Sequence, residues 1–285
     1  MFIHRTRHLH RHLKRATCRT LQHFSTQEPG FTVSSLGNGH VELIMSSPPV
    51  NTFSMDMLNN FRRTIEELET NPKVKGLVLS SSVQNIFTAG LDLNELHKPT
   101  PEEFKRFWGT FEMAWVAYYM TPLATVAAID GACPALGCVL ALSSDYRVMT
   151  NEAKYRIGLN ETSLGMNPPE WLRHLCTQTL GARNAELHLT SSTMCTPQEA
   201  KDINYVDQIV EKRELRNAAI NALTKLTSVP DLARAQCKQG FRKHIAALAD
   251  HDASVDVMAD SCLGVEFQDT LDGIMQQLKK KKKKK

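Results

Sequence analysis

No acidic residue occurs among the first 27 positions of this chain, where Glu28 is the first. The same stretch holds Arg5, Arg7, Arg11, Lys14, Arg15 and Arg19 but no apolar run of seven or more residues. That excludes a secretory signal peptide and suits an Arg-rich amphipathic mitochondrial presequence over residues 1–27, the other reading being a basic tail with no targeting role. Paired cysteines are missing too. Seven cysteines are scattered at positions 18, 133, 138, 176, 195, 237 and 262 with no Cys-x-x-Cys spacing, so neither zinc nor a disulfide framework is indicated. None of the eleven histidines stands at a metal-ligand spacing, and no metal is expected. Long uninterrupted apolar runs are scarce. Between Pro122 and Leu142 the only charge is Asp130, but Asp130-Gly131, Pro134 and Gly137 break the stretch, which reads as strand, turn and buried helix instead of a membrane span.

The formal net charge of +4 hides an uneven distribution. Seven of the 34 Lys and Arg form the terminal run Lys279 to Lys285, and six lie in the leader. Setting those thirteen aside leaves 21 basic against 30 acidic residues, so the body is negative by about nine charges. A nucleic-acid-binding domain shows the opposite balance in its folded part, and no nucleic-acid partner is expected. The lysine run reads as a solvated end, an attraction for acidic membrane or phosphate groups, or a translated poly-A stretch.

Residues 40–46 alternate and read as a strand. Ser54 is placed to cap a helix running to about Glu69, with Met57, Leu58, Phe61, Ile65 and Leu68 on one face. Residues 75–81 form a short buried strand. Thr100, Pro101 and Glu103 spell a capping box with proline at the first helical position. The helix that follows spaces Phe104, Phe107, Trp108, Phe111, Trp115 and Tyr118 along one stripe, better read as core than as a ligand platform. Residues 124–129 and 146–149 read as further strands around a small-residue helix over 135–142, and Thr196 with Glu199 opens another capped helix. The alternation predicts βαβ units and a mostly parallel sheet, hence an α/β class. Everything after Pro230 reads helical to about Leu278. The expected division is a presequence over 1–27, an α/β core over 28–227, a helical part over 228–278 and a lysine tail over 279–285.

Two strand-to-helix junctions are rich in small residues: Phe87-Thr88-Ala89-Gly90-Leu91-Asp92-Leu93 and Asp130-Gly131-Ala132-Cys133-Pro134-Ala135-Leu136-Gly137-Cys138. Backbone N–H groups exposed at such points can hold an anionic oxygen. The third segment is Ile157-Gly158-Leu159-Asn160-Glu161-Thr162. Here Glu161 reads either as a base or as a carboxylate favouring a helix N-terminus, Asn160 as a substrate contact or a cap, and Asp92 as the cap of the helix after its loop.

Together with Pro48-Pro49-Val50-Asn51 and Asp145-Tyr146-Arg147, these segments resemble the crotonase (enoyl-CoA hydratase/isomerase) superfamily over about residues 31 to 275. The resemblance is greatest to its isomerase branch. It implies a spiral of ββα units with a helical C-terminal trimerisation part, and a homotrimer in the mitochondrial matrix acting on fatty enoyl-CoA in the oxidation of unsaturated fatty acids. No cofactor is implied, since coenzyme A arrives with the substrate. By position the thioester oxygen sits between the backbone amides of Ala89 and Leu136, with Gly90, Leu91, Asp92, Leu93 and Asn160 also placed at the substrate. Hydratases of the superfamily use two glutamates, and the first falls where this chain has Val139. The second corresponds to Glu161. A lone carboxylate suits moving a proton from C2 to C4 of a 3-enoyl thioester, giving the trans-2-enoyl product. Hydration, thioester hydrolysis, or an RNA-binding member without turnover remain the alternatives. Two departures stand out: Leu136 replaces a usual glycine, and Asn204 replaces the glycine of a Gly-Leu-Val turn.

Overall fold

The hairpin that opens the folded chain is written in Gly37-Asn38-Gly39. Asn38 and Gly39 both have positive φ (55° and 78°), the conformation a two-residue turn needs to match the twist of its strands. It joins β2 (Phe31–Gly37) to β3 (His40–Met45) in antiparallel register, and β1 (Gln27–Glu28) pairs outside β2. The sequence pattern identified β3 but not β2. This is a computed structural model in which residues 27–249 and 252–282 are described. All of the expected leader except Gln27 lies outside that set, as do Lys283, Lys284 and Lys285.

From β3 the chain winds one way. Helix α1 (Met55–Thr70) leads to β4 (Gly76–Ser81), and α2 (Leu93–Leu96) with α3 (Pro101–Met120) lead to β5 (Ala124–Ile129). Then β6 (Cys133–Pro134) and α4 (Leu136–Ser143) lead to β7 (Tyr146–Thr150). Last, β8 (Ile157–Gly158), α5 (Glu170–Leu180), α6 (Ala182–Ser191) and α7 (Pro197–Asp202) lead to β9 (Gln208–Val210). The main sheet runs β1-β2-β3-β4-β5-β7-β9, parallel from β3 onward. After β3, β4, β5 and β7, and before the next helix, a short extended segment joins a second layer. Phe53 bridges Leu91, Ile86 bridges Ala132, β6 pairs with β8, and Ile157 bridges Cys195. Strand, second-layer segment and helix make each turn of the spiral a ββα unit, as the resemblance implied.

The caps form as the sequence reads. Ser54 accepts from Met57 N, and the boxes at Thr100 and Thr196 close with both arms. Strand β5 is buried on both faces, as parallel strands covered by helices are. Ala127 and Ile129 join the main core, whereas Ala124, Val126 and Ala128 meet Leu215, Ala219 and Leu223 of α8 (Leu215–Leu226). The aromatic stripe of α3 is core, as expected, with all six rings at most 4% exposed. Its polar edges converge on one buried carboxylate: Glu112 Oε1 accepts from Trp108 Nε1, Trp171 Nε1 and Ser254 Oγ at 2.8 to 3.0 Å.

The helical C-terminal part comprises α9 (Asp231–Ala246), α10 (Asp252–Cys262) and α11 (Val265–Lys282). Asp145 fastens it to the body. One carboxylate oxygen receives Lys238 Nζ at 3.0 Å, the other Arg242 at 2.8 Å, and both cations also donate to carbonyls at the ends of α3 and α4 and at Leu123. Helix α11 then returns to the body. Asp272 pairs with His97 and Lys98, and Gln268 bonds the backbone of Leu96 and Lys98.

Candidate active site

The segment after β4 is held by the segment after β3. Asn51, fully buried at φ 52°, accepts from Ser47 N and donates to Ser81 Oγ and Phe87 O. Thr88 Oγ1 donates to Asn51 O at 2.6 Å and accepts from Gly90 N at 3.0 Å. Phe53 N donates to Gly90 O, and Asp92 N to Phe53 O. The Ala89 amide donates to Val50 O at 2.9 Å, so the donor nominated by the sequence is already engaged and must be corrected. Among the described residues nothing accepts from the next outward amide, that of Leu91. Asp92 does what a cap does: its carboxylate accepts from Asn94 N at 2.9 Å and starts α2. Leu91 and Leu93 are half-buried beside it.

The second junction needs its glycine. A Cβ on Gly131 would lie 2.1 Å from the carbonyl carbon of Asn85, so no other residue fits. Beyond it Ala132, Cys133 and Ala135 all donate to neighbouring segments, namely to Asn85 O, Arg156 O and Gly158 O. Ala135 takes φ 49° and ψ −122°, strained for a residue with a Cβ, and turns the chain sharply into α4. The Leu136 amide, first in that helix, has no partner among the described residues. It lies 3.7 Å from where a Cβ on Gly90 would sit, and Gly90 itself has φ 101°. The two junctions therefore meet at Gly90, with the unengaged amides of Leu91 and Leu136 at the meeting point. Leu136 is 4% exposed and belongs to the core.

Glu161 reaches this point because β8 pairs with β6 and Gly158 O accepts from Ala135 N, which seats the turn after β8 beside the start of α4. The turn is braced from outside by Thr162 Oγ1 on Leu189 O and Ser163 N on Ser192 Oγ, both at 2.7 Å. Gly165 behind it packs on Glu266 and Phe267 of α11. The Glu161 side chain is buried, and its Oε2 has no hydrogen-bond partner. Burial pushes its pKa from 4.5 up to about 7, with a backbone hydrogen bond opposing less strongly. Leu159, Met166 and Trp171 are buried and Leu164 half-buried along the same stretch. No other carboxylate among the described residues contributes to the shift. Val139, where a hydratase has its first glutamate, is buried in α4. Asn160 does not cap: its Oδ1 is buried without a partner, and its backbone carbonyl accepts from Ser163 Oγ.

The arrangement thus combines one carboxyl group of near-neutral pKa, on the turn that β8 seats against the start of α4, with two unengaged backbone amides at the junction of Gly90 and α4. That combination can abstract a proton next to a carbonyl and hold the resulting oxyanion. Sequence reasoning named Glu161, Leu136 and Ala89: the Glu161 carboxyl is buried, the Leu136 amide is unengaged and the Ala89 amide is bonded to Val50 O. It did not name the bracing by Asn51 and Thr88; spacing carries no signal for which amide in Ala89-Gly90-Leu91 is left free. No group of three or more His, Cys, Asp or Glu among the described residues is placed to hold a metal ion, and no described helix is long and apolar enough to cross a membrane.

Residues 37–282 match the family profile described as Enoyl-CoA hydratase/isomerase. The chain is 34% identical over 248 residues to mitochondrial enoyl-CoA delta isomerase 1 of Homo sapiens, covering 86% of this chain and 82% of that protein. It is 35% identical over 240 residues to the Mus musculus protein of the same name, covering 84% and 83%. The crystal structure of human mitochondrial delta3-delta2-enoyl-CoA isomerase superimposes with a TM-score of 0.86 at 33% identity, covering 89% of this chain and 99% of that one.

Proposed function

The chain belongs to the enoyl-CoA hydratase/isomerase family, and from that premise we propose that it moves the double bond of a 3-enoyl-CoA to the trans-2 position in the oxidation of unsaturated fatty acids. The observation that bears this reading is the solitary Glu161, buried, with a pKa near 7 and no second carboxylate acting on it. As a carboxylate it takes a proton from C2 of the thioester. The C–H electrons pass through the new C2–C1 double bond onto the thioester oxygen, which Leu91 and Leu136 N–H groups receive. The dienolate collapses, the C3–C4 double bond shifts to C2–C3, and the same carboxyl returns its proton at C4. Each amide aimed at the developing charge contributes about 2.7–4 kcal/mol to the transition state in sites of this kind. The amides act on charge that is absent from the ground state, so they raise turnover more than affinity.

The net reaction moves one proton and neither oxidises nor reduces, so it calls on no cofactor beyond the coenzyme A of the substrate. Hydration needs a second carboxylate to hold and activate water, and apolar Val139 occupies that place. Asn160, with its buried unpartnered Oδ1, is assigned to the substrate side of the base. The relatives named above are mitochondrial, which supports a mitochondrial enzyme; we assign it to the matrix, as a homotrimer. Turnover of 3-hexenoyl-CoA and 3-dodecenoyl-CoA tests the activity. Wild type is expected to form the trans-2 products, and Glu161→Gln to lose about 10²–10⁴-fold in kcat. A variant that kept near-normal turnover would sink the mechanism.

A further inference from the structure

One end of the second layer is held by side chains that the proton shift does not use. The Tyr155 hydroxyl donates to Asn85 Oδ1 at 2.7 Å, with Asp130 Oδ1 beside it at 3.3 Å. The Asp130 carboxylate is fixed in turn. Thr150 Oγ1 donates to the same oxygen at 3.1 Å, and Lys212 Nζ lies 2.8 Å from the other. Tyr155 is buried. Three segments therefore meet in one knot of side chains: the one after β4, the one after β5 and the one that leads into β8.

Each segment goes on to deliver one reacting group, and over the same length of chain. Asn85 stands six positions before Leu91, Asp130 six before Leu136, and Tyr155 six before Glu161. Just beyond the knot the segments run parallel, Ile86 bridging Ala132 and β6 pairing with β8 as Cys133 on Ile157 and Pro134 on Gly158. Ladders this short offer little of their own to reject another alignment. A slip of one residue would turn the side chains over and carry the group beyond it about 3.3 Å out of place. Backbone bonds tie neighbours only. Ala132 N to Asn85 O and Phe87 N to Ala132 O join the first segment to the second. Cys133 N to Arg156 O and Ala135 N to Gly158 O join the second to the third. Among the described residues, the Tyr155–Asn85 bond is the one hydrogen bond that runs directly from the segment of the Leu91 amide to that of the base.

We propose that Tyr155 is a positioning residue for the reacting groups: its hydroxyl, set on Asn85 and Asp130, fixes the register of the three segments and so the placing of the Glu161 carboxyl against the Leu91 and Leu136 amides. The knot touches no substrate. It acts on turnover through the alignment it imposes, and a small misplacement of oriented groups is costly to rate. The effect on turnover rests on the isomerase reading; the knot itself does not.

Tyr155→Phe removes the hydroxyl and keeps the ring. Asn85→Gly tests the knot from the other side, removing the acceptor and keeping the backbone at φ 61°, which glycine adopts freely. For either variant kcat with 3-hexenoyl-CoA is expected to fall about ten- to a hundredfold, with KM within about twofold of wild type. Because the two residues act as a unit, the double variant should lose no more than one alone. The second readout is binding of 3-oxohexanoyl-CoA, whose enolate absorbs in the near ultraviolet and shares its charge with the thioester oxygen. Its affinity should fall by a similar factor, while that of saturated hexanoyl-CoA is unchanged. Ile65→Val, a core change on α1, lowers stability and moves neither readout. Additive losses, turnover within about twofold of wild type, or equal weakening of both ligands overturn the proposal and leave Tyr155 as a core ring alone. Should the wild-type chain fail to isomerise 3-enoyl thioesters, the functional reading fails, while the two ligands still decide the role of Tyr155.

Discussion

Glu161 is costly to the fold in the state in which it works. Its proton is held in the folded chain up to about pH 7 and in the unfolded chain only up to about 4.5. Between those values the folded state binds more protons, so the free energy of unfolding falls as pH rises through the window and is level on either side. The shift amounts to a penalty on the order of 3 kcal/mol once the pH exceeds 7. Glu161→Gln, which removes the charge and keeps the shape, is therefore expected to be more stable than wild type at pH 8 by up to roughly that amount. The advantage should shrink toward zero by pH 4.5. Urea unfolding of both proteins across that range measures it. A gap that is constant with pH would mean the carboxyl is solvated and not poised by burial. Ala135, held at φ 49° at the start of α4, is a second residue whose conformation opposes stability at the same site.

At the scale of elements, the site is a meeting of loops, and Asn51 decides whether they meet. Its side chain satisfies Ser47 N, Ser81 Oγ and Phe87 O from inside the protein. Asn51→Ala takes the side-chain partner from Ser47 N and Phe87 O and frees the segment that positions the Leu91 amide. We expect a loss of about 2–4 kcal/mol of stability and a fall in kcat of about tenfold or more with KM little altered, since a misplaced oxyanion donor affects the transition state first. Steady-state kinetics with 3-hexenoyl-CoA, beside a denaturant melt, separates the two effects. This level is also where the sequence was least legible. Periodicity and caps located α1, the start of α3 and strands β3, β4, β5 and β7 to within about a residue, because each is a local pattern. The two-residue strands of the second layer have no pattern of their own, since they exist only through pairing with distant partners. Strand β2 was missed although its turn signal, Asn38-Gly39, is present. Glu161 was legible because its string matched a family. The engagement of Ala89 by Val50 was not, because it depends on how Pro48 to Phe53 drapes over the loop. Strand β9 begins only at Gln208; the three positions before it form the turn that buries Tyr205.

In the whole molecule, Asp145 joins two bodies of structure. Its side chain is 14% exposed, those of Lys238 and Arg242 are 6% and 12%, and the three hold α9 against the ends of α3 and α4. Burial above all, with Arg242 and Arg234 adding to it, drives the Lys238 pKa down to about 7, and Asp145 opposes it. Asp145→Asn leaves the buried Arg242 charge without its anion and removes what keeps Lys238 protonated, and the expected loss is about 3–5 kcal/mol. Limited proteolysis should then cut first after Pro230, while the α/β body persists; simultaneous loss of both parts would show that they unfold as one.

Helix α11 touches the site at both edges, on Leu96 to Lys98 through Gln268 and Asp272, and behind Glu161 through Glu266 and Phe267. Helix α11 thus supplies the backing for segments made long before it. A chain still being synthesised or threaded through a membrane pore holds every reacting group well before its last helix arrives, yet lacks the wall that fixes them. Enzymatic competence therefore waits for α11, and a truncation within that helix is expected to remove it while leaving Glu161, Leu91 and Leu136 in the chain.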